Sequence, residues 1–384
     1  MTIGFMSRSV AVFPDKAPIE TRGIPARLYE IFDPAPIAAS LPARIAIIMF
    51  GMLLTQTDRG LYCAAGDFFI DPWRPVERAV ITHAHADHAR PGSASYLCAA
   101  PGAGVLRLRV GDDAQIETLS YGESLSINGT RVSFHPAGHI LGSAQVRVAH
   151  GGETWVAGGD YKTDPDPTCA PFEAVSCDTF ITEATFGLPI YRWPPQAEVF
   201  AAINAWWRLN QNAGRASILF AYALGKAQRV LAGIDPSIGP LFAHGAVDRF
   251  NIAYRAGGVH LPECRYVGDA PPDTDWSRAL IVAPPSAQGT PWLRRFGDQS
   301  AAFASGWMRV RGRRRRRAVD RGFVLSDHVD WPGLMDAVAA SGASRVLVTH
   351  GYTAVVVRRL RERGLEAFEL ATPYADEQSE DEDA

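Results

Sequence analysis

From Leu53 onward short apolar runs alternate with polar turns, the pattern of strands that bury one or both faces. Segments 79–82, 131–134, 145–149, 154–157 and 179–182 are strand candidates of this kind. After Pro194 and Pro195 the period changes: Val199, Phe200, Ile203, Trp206 and Trp207 fall on one helical face, which makes at least one of the two tryptophans core and assigns neither to substrate. A strand at 217–222 and a turn at Gly225 follow, then an apolar strand at 279–283 and a Pro/Gly-rich loop over 284–291. Near residue 320 the first style resumes, with a strand at 323–325, helices over 331–340 and 354–363, and strands at 345–349 and 366–370. The pattern predicts a strand-rich part over 49–194, a separate α/β region over 195–318, and a return to the first part over 319–373.

Both ends differ from this body. Residues 1–48 carry prolines and charges of both signs and read as an N-terminal extension, with Met49 and Met52 as alternative starts. The apolar stretch 45–54 falls far short of the ~20 residues that span a bilayer, so no membrane segment is expected. Residues 374–384 read as a disordered acidic tail.

The 384 residues, 47% hydrophobic and 21% charged, have an ordinary globular composition. The net charge of -3 conceals two biased segments. Six acids crowd the last nine residues, while Arg309, Arg311, Arg313, Arg314, Arg315, Arg316, Arg317 and Arg321 lie close together. An anionic partner is therefore compatible with a mildly acidic chain. Five cysteines without a Cys-x-x-Cys pair disfavour a disulfide scaffold and suit a reducing cytoplasm.

The strand at 79–82 runs into His83-Ala84-His85-Ala86-Asp87-His88, four metal-ligating side chains in six residues, with small alanines that leave room for them to converge. Imidazole and carboxylate together suit zinc or manganese. His139, Asp160 and His350 follow other predicted strands and have glycine neighbours that permit close backbone approach. His135, His150, His244 and His260 lack such support and read as packing or surface residues.

In these residues the chain resembles the metallo-β-lactamase fold, and within it the β-CASP branch of nucleases, over roughly residues 53 to 372. The resemblance implies an αββα sandwich with an inserted α/β cap domain. It assigns His83, His85 and His139 to one metal and Asp87, His88 and His350 to a second, with Asp160 bridging. Glu183 resembles the first β-CASP motif, His328 in Ser326-Asp327-His328 the second, and His350 the third. Asp327 departs from the family's usual small residue there. The catalytic candidates are Asp87, Glu183 and His328. His328 would protonate the leaving sugar oxygen, and Glu183 would orient an imidazole rather than bind metal.

The cap fills the interval between Glu183 and His328, and it brings weaker candidates for phosphate contact: Lys226 at a helix start, Ser286 in the 284–289 loop, and the arginine run. Leu61-Tyr62-Cys63, Asp71-Pro72-Trp73-Arg74-Pro75 and Thr185-Phe186-Gly187-Leu188-Pro189 resemble most the bacterial ligase-associated DNA exonuclease group. That likeness implies DNA with single-stranded or processed ends as substrate, a repair role and a functional association with a DNA ligase. His350 points the other way, because RNA-processing members commonly carry histidine there. An RNA-processing endo- or exonuclease and a noncatalytic nucleic-acid-binding protein stay open as alternatives. No Gly-Lys-Ser/Thr phosphate loop is present, so ATP is not expected to take part.

Overall fold

The computed structural model describes residues 52–310 and 319–371. The N-terminal extension, the arginine run 313–317 and the acidic tail lie outside the described residues.

Strands β1 (Thr55–Thr57), β2 (Gly60–Cys63), β3 (Phe68–Ile70), β4 (Arg78–Val80), β5 (Ser95–Ala99) and β6 (Ile116–Leu119) form one sheet in chain order. It begins antiparallel and becomes parallel from β3 onward. Strands β7 (Ser124–Ile127), β8 (Thr130–Pro136), β9 (Ala144–His150), β10 (Glu153–Ala157) and β11 (Thr179–Ala184) begin a second sheet, antiparallel as far as β10. The two sheets face each other across a core that includes Phe68, Val80, Leu97, Phe134, Val146, Trp155 and Ile181.

The chain then leaves for a third sheet of β12 (Ala216–Phe220), β13 (Leu241–Ala243), β14 (Arg265–Tyr266), β15 (Leu280–Ala283), β16 (Gln299–Ala304) and β17 (Arg321–Phe323), in the order β14-β13-β15-β12-β16-β17. Every pairing in it is parallel, so both faces need cover. One face packs against helices that carry Trp206, Trp207, Val230 and Leu231, the other against Phe186, Tyr191 and Trp307. Both tryptophans of the 196–212 helix are buried, where the sequence pattern required only one of them to be core.

Strands β18 (Arg345–Gly351) and β19 (Glu366–Glu369) return to the second sheet beside β11, all parallel. Among the described residues the α-helices are α1 (Ala103–Val110), α2 (Gln196–Asn212), α3 (Lys226–Gly233), α4 (Gly245–Ala256), α5 (Trp331–Ser341) and α6 (Thr353–Glu362). Helices α5 and α6 cover the outer face of the second sheet through Leu334, Val338, Val356 and Leu360. Helix α1 covers the outer face of the first.

One sequence boundary moves. A strand at 323–325 was expected in the returning part 319–373, but the strand forms at Arg321–Phe323 and pairs with β16 through Ala302↔Arg321 and Ala304↔Phe323, so it closes the third sheet. Phe323 is apolar enough for either sheet, and its position is decided by partners distant in sequence. No helix among the described residues is long and apolar enough to cross a membrane.

Candidate metal centre

The C-terminal ends of β4, β10, β11 and β18 deliver side chains to one place, the usual location of sites beside parallel strands. After β4 the backbone passes Thr82 and enters a turn in which the Ala89 and His88 amides donate to the His85 carbonyl. That turn throws His83, His85, Asp87 and His88 to one side. His139 sits in the β8–β9 connection, held by Ser143, whose hydroxyl accepts from the His139 and Ile140 amides. Gly159, at φ +57, lies where a Cβ would be 2.7 Å from the Thr82 side chain, and this close approach sets Asp160 beside the first turn.

His350 has its own device. The β11–β18 register shifts between Glu183 and Ala184, and His350 takes φ +57, a left-handed conformation uncommon for a non-glycine residue. The bulge turns its ring out of the ladder toward His88, with ring centroids 5.5 Å apart. Strain of this kind gathers at functional sites.

The side chains fall into two adjoining groups. In the first, His85 Nδ1 lies 3.1 Å from His83 Nε2 and 3.0 Å from His139 Nε2. Asp160 Oδ2 approaches His83 Nε2 at 3.5 Å and His139 Nε2 at 3.8 Å. The second group is Asp87, His88 and His350. Asp160 Oδ2 is also 3.5 Å from His88 Nε2, so this carboxylate stands between the groups.

Three ring nitrogens at these separations cannot all be satisfied by hydrogen bonds to one another. Nitrogens bound tetrahedrally at ~2.0–2.1 Å to one ion stand roughly 3.3 Å apart, close to what is seen. The remaining ring nitrogens point at polar partners: His83 Nδ1 at Thr82 Oγ1 (3.1 Å), His85 Nε2 at the Leu224 carbonyl (3.2 Å), His139 Nδ1 at the Asp327 carbonyl (2.9 Å) and His88 Nδ1 at Asp71 Oδ2 (2.7 Å). Outer partners of this type fix the tautomer and direction of a ligating imidazole. The buried clusters are consistent with a binuclear metal site.

The protonation tendencies of His83, His139 and His350 agree with that donor set. Burial, reinforced by neighbouring imidazoles, holds His83 and His139 well below the ordinary imidazole range, and burial lowers His350 to about 4. They are neutral donors at pH 7, the form that binds metal. Burial also opposes charge on His88, but Asp87, Asp160 and Asp71 outweigh it and hold the ring well above its ordinary value. Burial raises Asp160 to about 7.

Beside these groups His328 Nδ1 lies 3.0 Å from Glu183 Oε2 and 3.2 Å from Oε1. Glu183 is almost fully buried and also accepts the Tyr161 amide at 2.9 Å. Burial disfavours the imidazolium, yet Glu183 and then Asp160 outweigh it and raise His328 to about 10.

The other sequence candidates have different settings. Lys226 is buried, with Nζ 3.1 Å from Asp327 Oδ1 and above the Tyr222 ring. It borders a cavity next to the cluster, together with Arg109, Asp160, Asp327 and His328. Burial alone would raise Asp327, but Lys226 holds it well below the ordinary carboxylate range. Ser286 is exposed on the 3-10 turn Pro285–Ala287 after β15, outside the His/Asp groups. His244 caps α4 by accepting the Ala246 amide, and His135, His150 and His260 are likewise outside the groups.

Sequence reasoning missed Asp71, Arg109 and Arg229. Asp71 follows β3 and accepts from the Thr82 amide (2.8 Å) and the Thr82 hydroxyl (2.6 Å) as well as facing His88. An acid at a strand end, the rule that found Asp160, was the available signal. Nothing local marks the other two, whose partners are distant in sequence.

The solved structure of a protein of unknown function from Enterococcus faecalis V583 superposes with a TM-score of 0.51 at 9% identity, covering 78% of this chain and 80% of that one. The fold is that of the metallo-β-lactamases. No family model matches the chain. A "Probable DNA ligase" of Opitutus terrae is 32% identical over 315 residues, 81% of this chain and 30% of that protein. "Endoribonuclease ysh1" of Aspergillus fumigatus is 32% identical over 123 residues, 31% of this chain and 14% of that protein. Its counterpart in Emericella nidulans is 34% identical over 120 residues, 30% and 13% of the respective lengths. The chain thus contains a metallo-β-lactamase/β-CASP nuclease-like region and spans less than a third of the length of each of these curated relatives.

Proposed function

We propose that this chain is a two-metal-dependent hydrolase that cleaves DNA phosphodiester bonds from an end, in repair or end processing alongside a ligase. The observation that carries the reading is the pair of His/Asp groups sharing Asp160, with the His328–Glu183 pair directly beside them. Two divalent ions, zinc or manganese, would activate water and neutralise charge growing on the phosphoryl group. His83, His85 and His139 would hold one, and Asp87, His88 and His350 the other, with Asp160 serving both. Glu183 keeps its contact with His328 Nδ1, so Nε2 is the atom that would hand a proton to the departing sugar oxygen. Arg109 and Lys226, at the cavity beside the cluster, would meet phosphate oxygens there. The cap segment 195–318, Ser286 and the arginine run 313–317 would extend that contact along the strand, with affinity that falls as salt rises.

The similarity to a ligase-named protein over most of this chain favours DNA. A second reading, cleavage of RNA, draws on the similarity to the endoribonucleases and on His350. Matched end-labelled DNA and RNA, each with 5'-phosphate or 5'-hydroxyl ends, should be incubated in zinc and in manganese. DNA shortening from its ends, lost in Asp87→Asn and His328→Ala, is the expected result. Cleavage of RNA with every DNA left intact would select the second reading. A metal-loaded protein that binds but cuts neither would be a binding protein.

A further inference from the structure

The two metal-ligand groups are oriented by different parts of the fold. His88 is turned by Asp71 (2.7 Å), and His350 Nδ1 lies 3.3 Å from Thr349 Oγ1. Both partners belong to the first two sheets or their strand ends. In the trio His83, His85 and His139, two imidazoles instead depend on the start of α3, which leaves the third sheet after β12. The Leu224 carbonyl faces His85 Nε2 at 3.2 Å. The guanidinium of Arg229 is almost fully buried and donates to the His139 carbonyl at 3.1 Å and to Gln196 Oε1 at 3.2 Å, with Asp166 at 3.4 Å as its ion-pair partner. Lys226 pairs with Asp327, whose carbonyl faces His139 Nδ1.

The joint is close as well as polar. Gly225 has φ +87, and a Cβ there would come within 2.3 Å of Ile140 Cγ2, next to His139. The α3 turn is therefore seated against the loop that carries the ligand, and Arg229 reaches across to both its backbone and Asp166.

We infer that Arg229 is a positioning residue for one metal only: by clamping the His139 loop to α3 it sets the affinity of the His83/His85/His139 position, while the Asp87/His88/His350 position stands without it. This rests on the two-metal reading above. An outer partner of a ligand is worth about 10–100-fold in metal affinity, and the loss should fall on one of two equivalents. A general loss of folding would weaken both.

The test is zinc titration of the EDTA-treated full chain against a chromophoric chelator. Wild type should take two equivalents; fewer would remove the two-metal reading itself. Arg229→Met should weaken one equivalent about 10–100-fold and leave the other unchanged. In a His350→Ala background the remaining equivalent should be sensitive to Arg229→Met, and in a His139→Ala background it should be indifferent. Arg229→Lys, which keeps a charge for Asp166 but lacks the guanidinium fork, gives the same readout if Arg229→Met does not fold. Two unaffected equivalents, or equal weakening of both, would overturn the inference while leaving two-metal binding intact.

Discussion

His328 Nδ1 lies 3.0 Å from the buried carboxylate of Glu183, and the Tyr161 amide holds that carboxylate from the other side. The contact orients the ring without making Glu183 part of either metal-ligand group as assigned above. On the proposed function, removing His328 or its orienting partner should therefore affect turnover and leave metal binding in place. His328→Ala and Glu183→Gln should lower phosphodiester hydrolysis by roughly 10²–10⁴-fold, the usual worth of a general acid. Metal content by mass spectrometry should stay at the wild-type level. Loss of metal in step with activity would place His328 among the ligands instead.

The loop that bears His139 depends on a glycine. Gly138 takes φ +76, and a Cβ there would lie 2.2 Å from the Lys162 carbonyl oxygen and 3.0 Å from the Phe172 amide nitrogen, both backbone atoms that cannot swing aside. Gly138→Ala should destabilise the fold by at least about 1–3 kcal/mol through backbone strain. Chemical denaturation checks this, and an unchanged midpoint would show that the loop relaxes freely.

Much of the His/Asp cluster is legible in the sequence because its side chains carry local signals. His83 to His88 share one strand end, and His139, Asp160 and His350 each follow an apolar run beside glycine, so strand patterning and residue type suffice. The supports are not local. Arg229 reads as one more polar position of a helix until Asp166 and the His139 carbonyl appear beside it. Asp327 likewise reads as a change of local charge, whereas in the fold it is paired with Lys226. The sheet that receives 321–323 is also a matter of tertiary pairing, since three residues carry too little pattern to choose between partners.

The thiols give a pH dependence away from the His/Asp groups. All five cysteines are free. Burial pushes Cys98, Cys169 and Cys264 up to about 12 and Cys177 up to about 11, from an ordinary value of 9.0. An acid with a raised folded-state pKa favours the folded state fully below its unfolded value, and that contribution is lost as pH rises through the folded value. Stability should therefore decline between about pH 9 and pH 12, as measured by urea midpoints across the lower part of that window. At pH 8 native protein should react slowly with a thiol reagent and urea-unfolded protein should show all five thiols. Rapid labelling of the native state would contradict the burial argument.

Metal removal should be felt in stability as well as in activity. The two groups place three imidazoles and a carboxylate around one point and two imidazoles and a carboxylate around another. The unfolded chain has no such convergence, so an ion that binds the folded state draws the equilibrium toward it. At a free zinc concentration of about 100 times the dissociation constant, each site would contribute about 2.7 kcal/mol. EDTA-treated protein should thus melt several degrees below the zinc-loaded form, and readdition of zinc should restore the difference. His83→Ala and His350→Ala should each keep only part of the shift, because each spares the other group. A melting temperature indifferent to zinc in the wild-type chain would count against a metal site in this cluster.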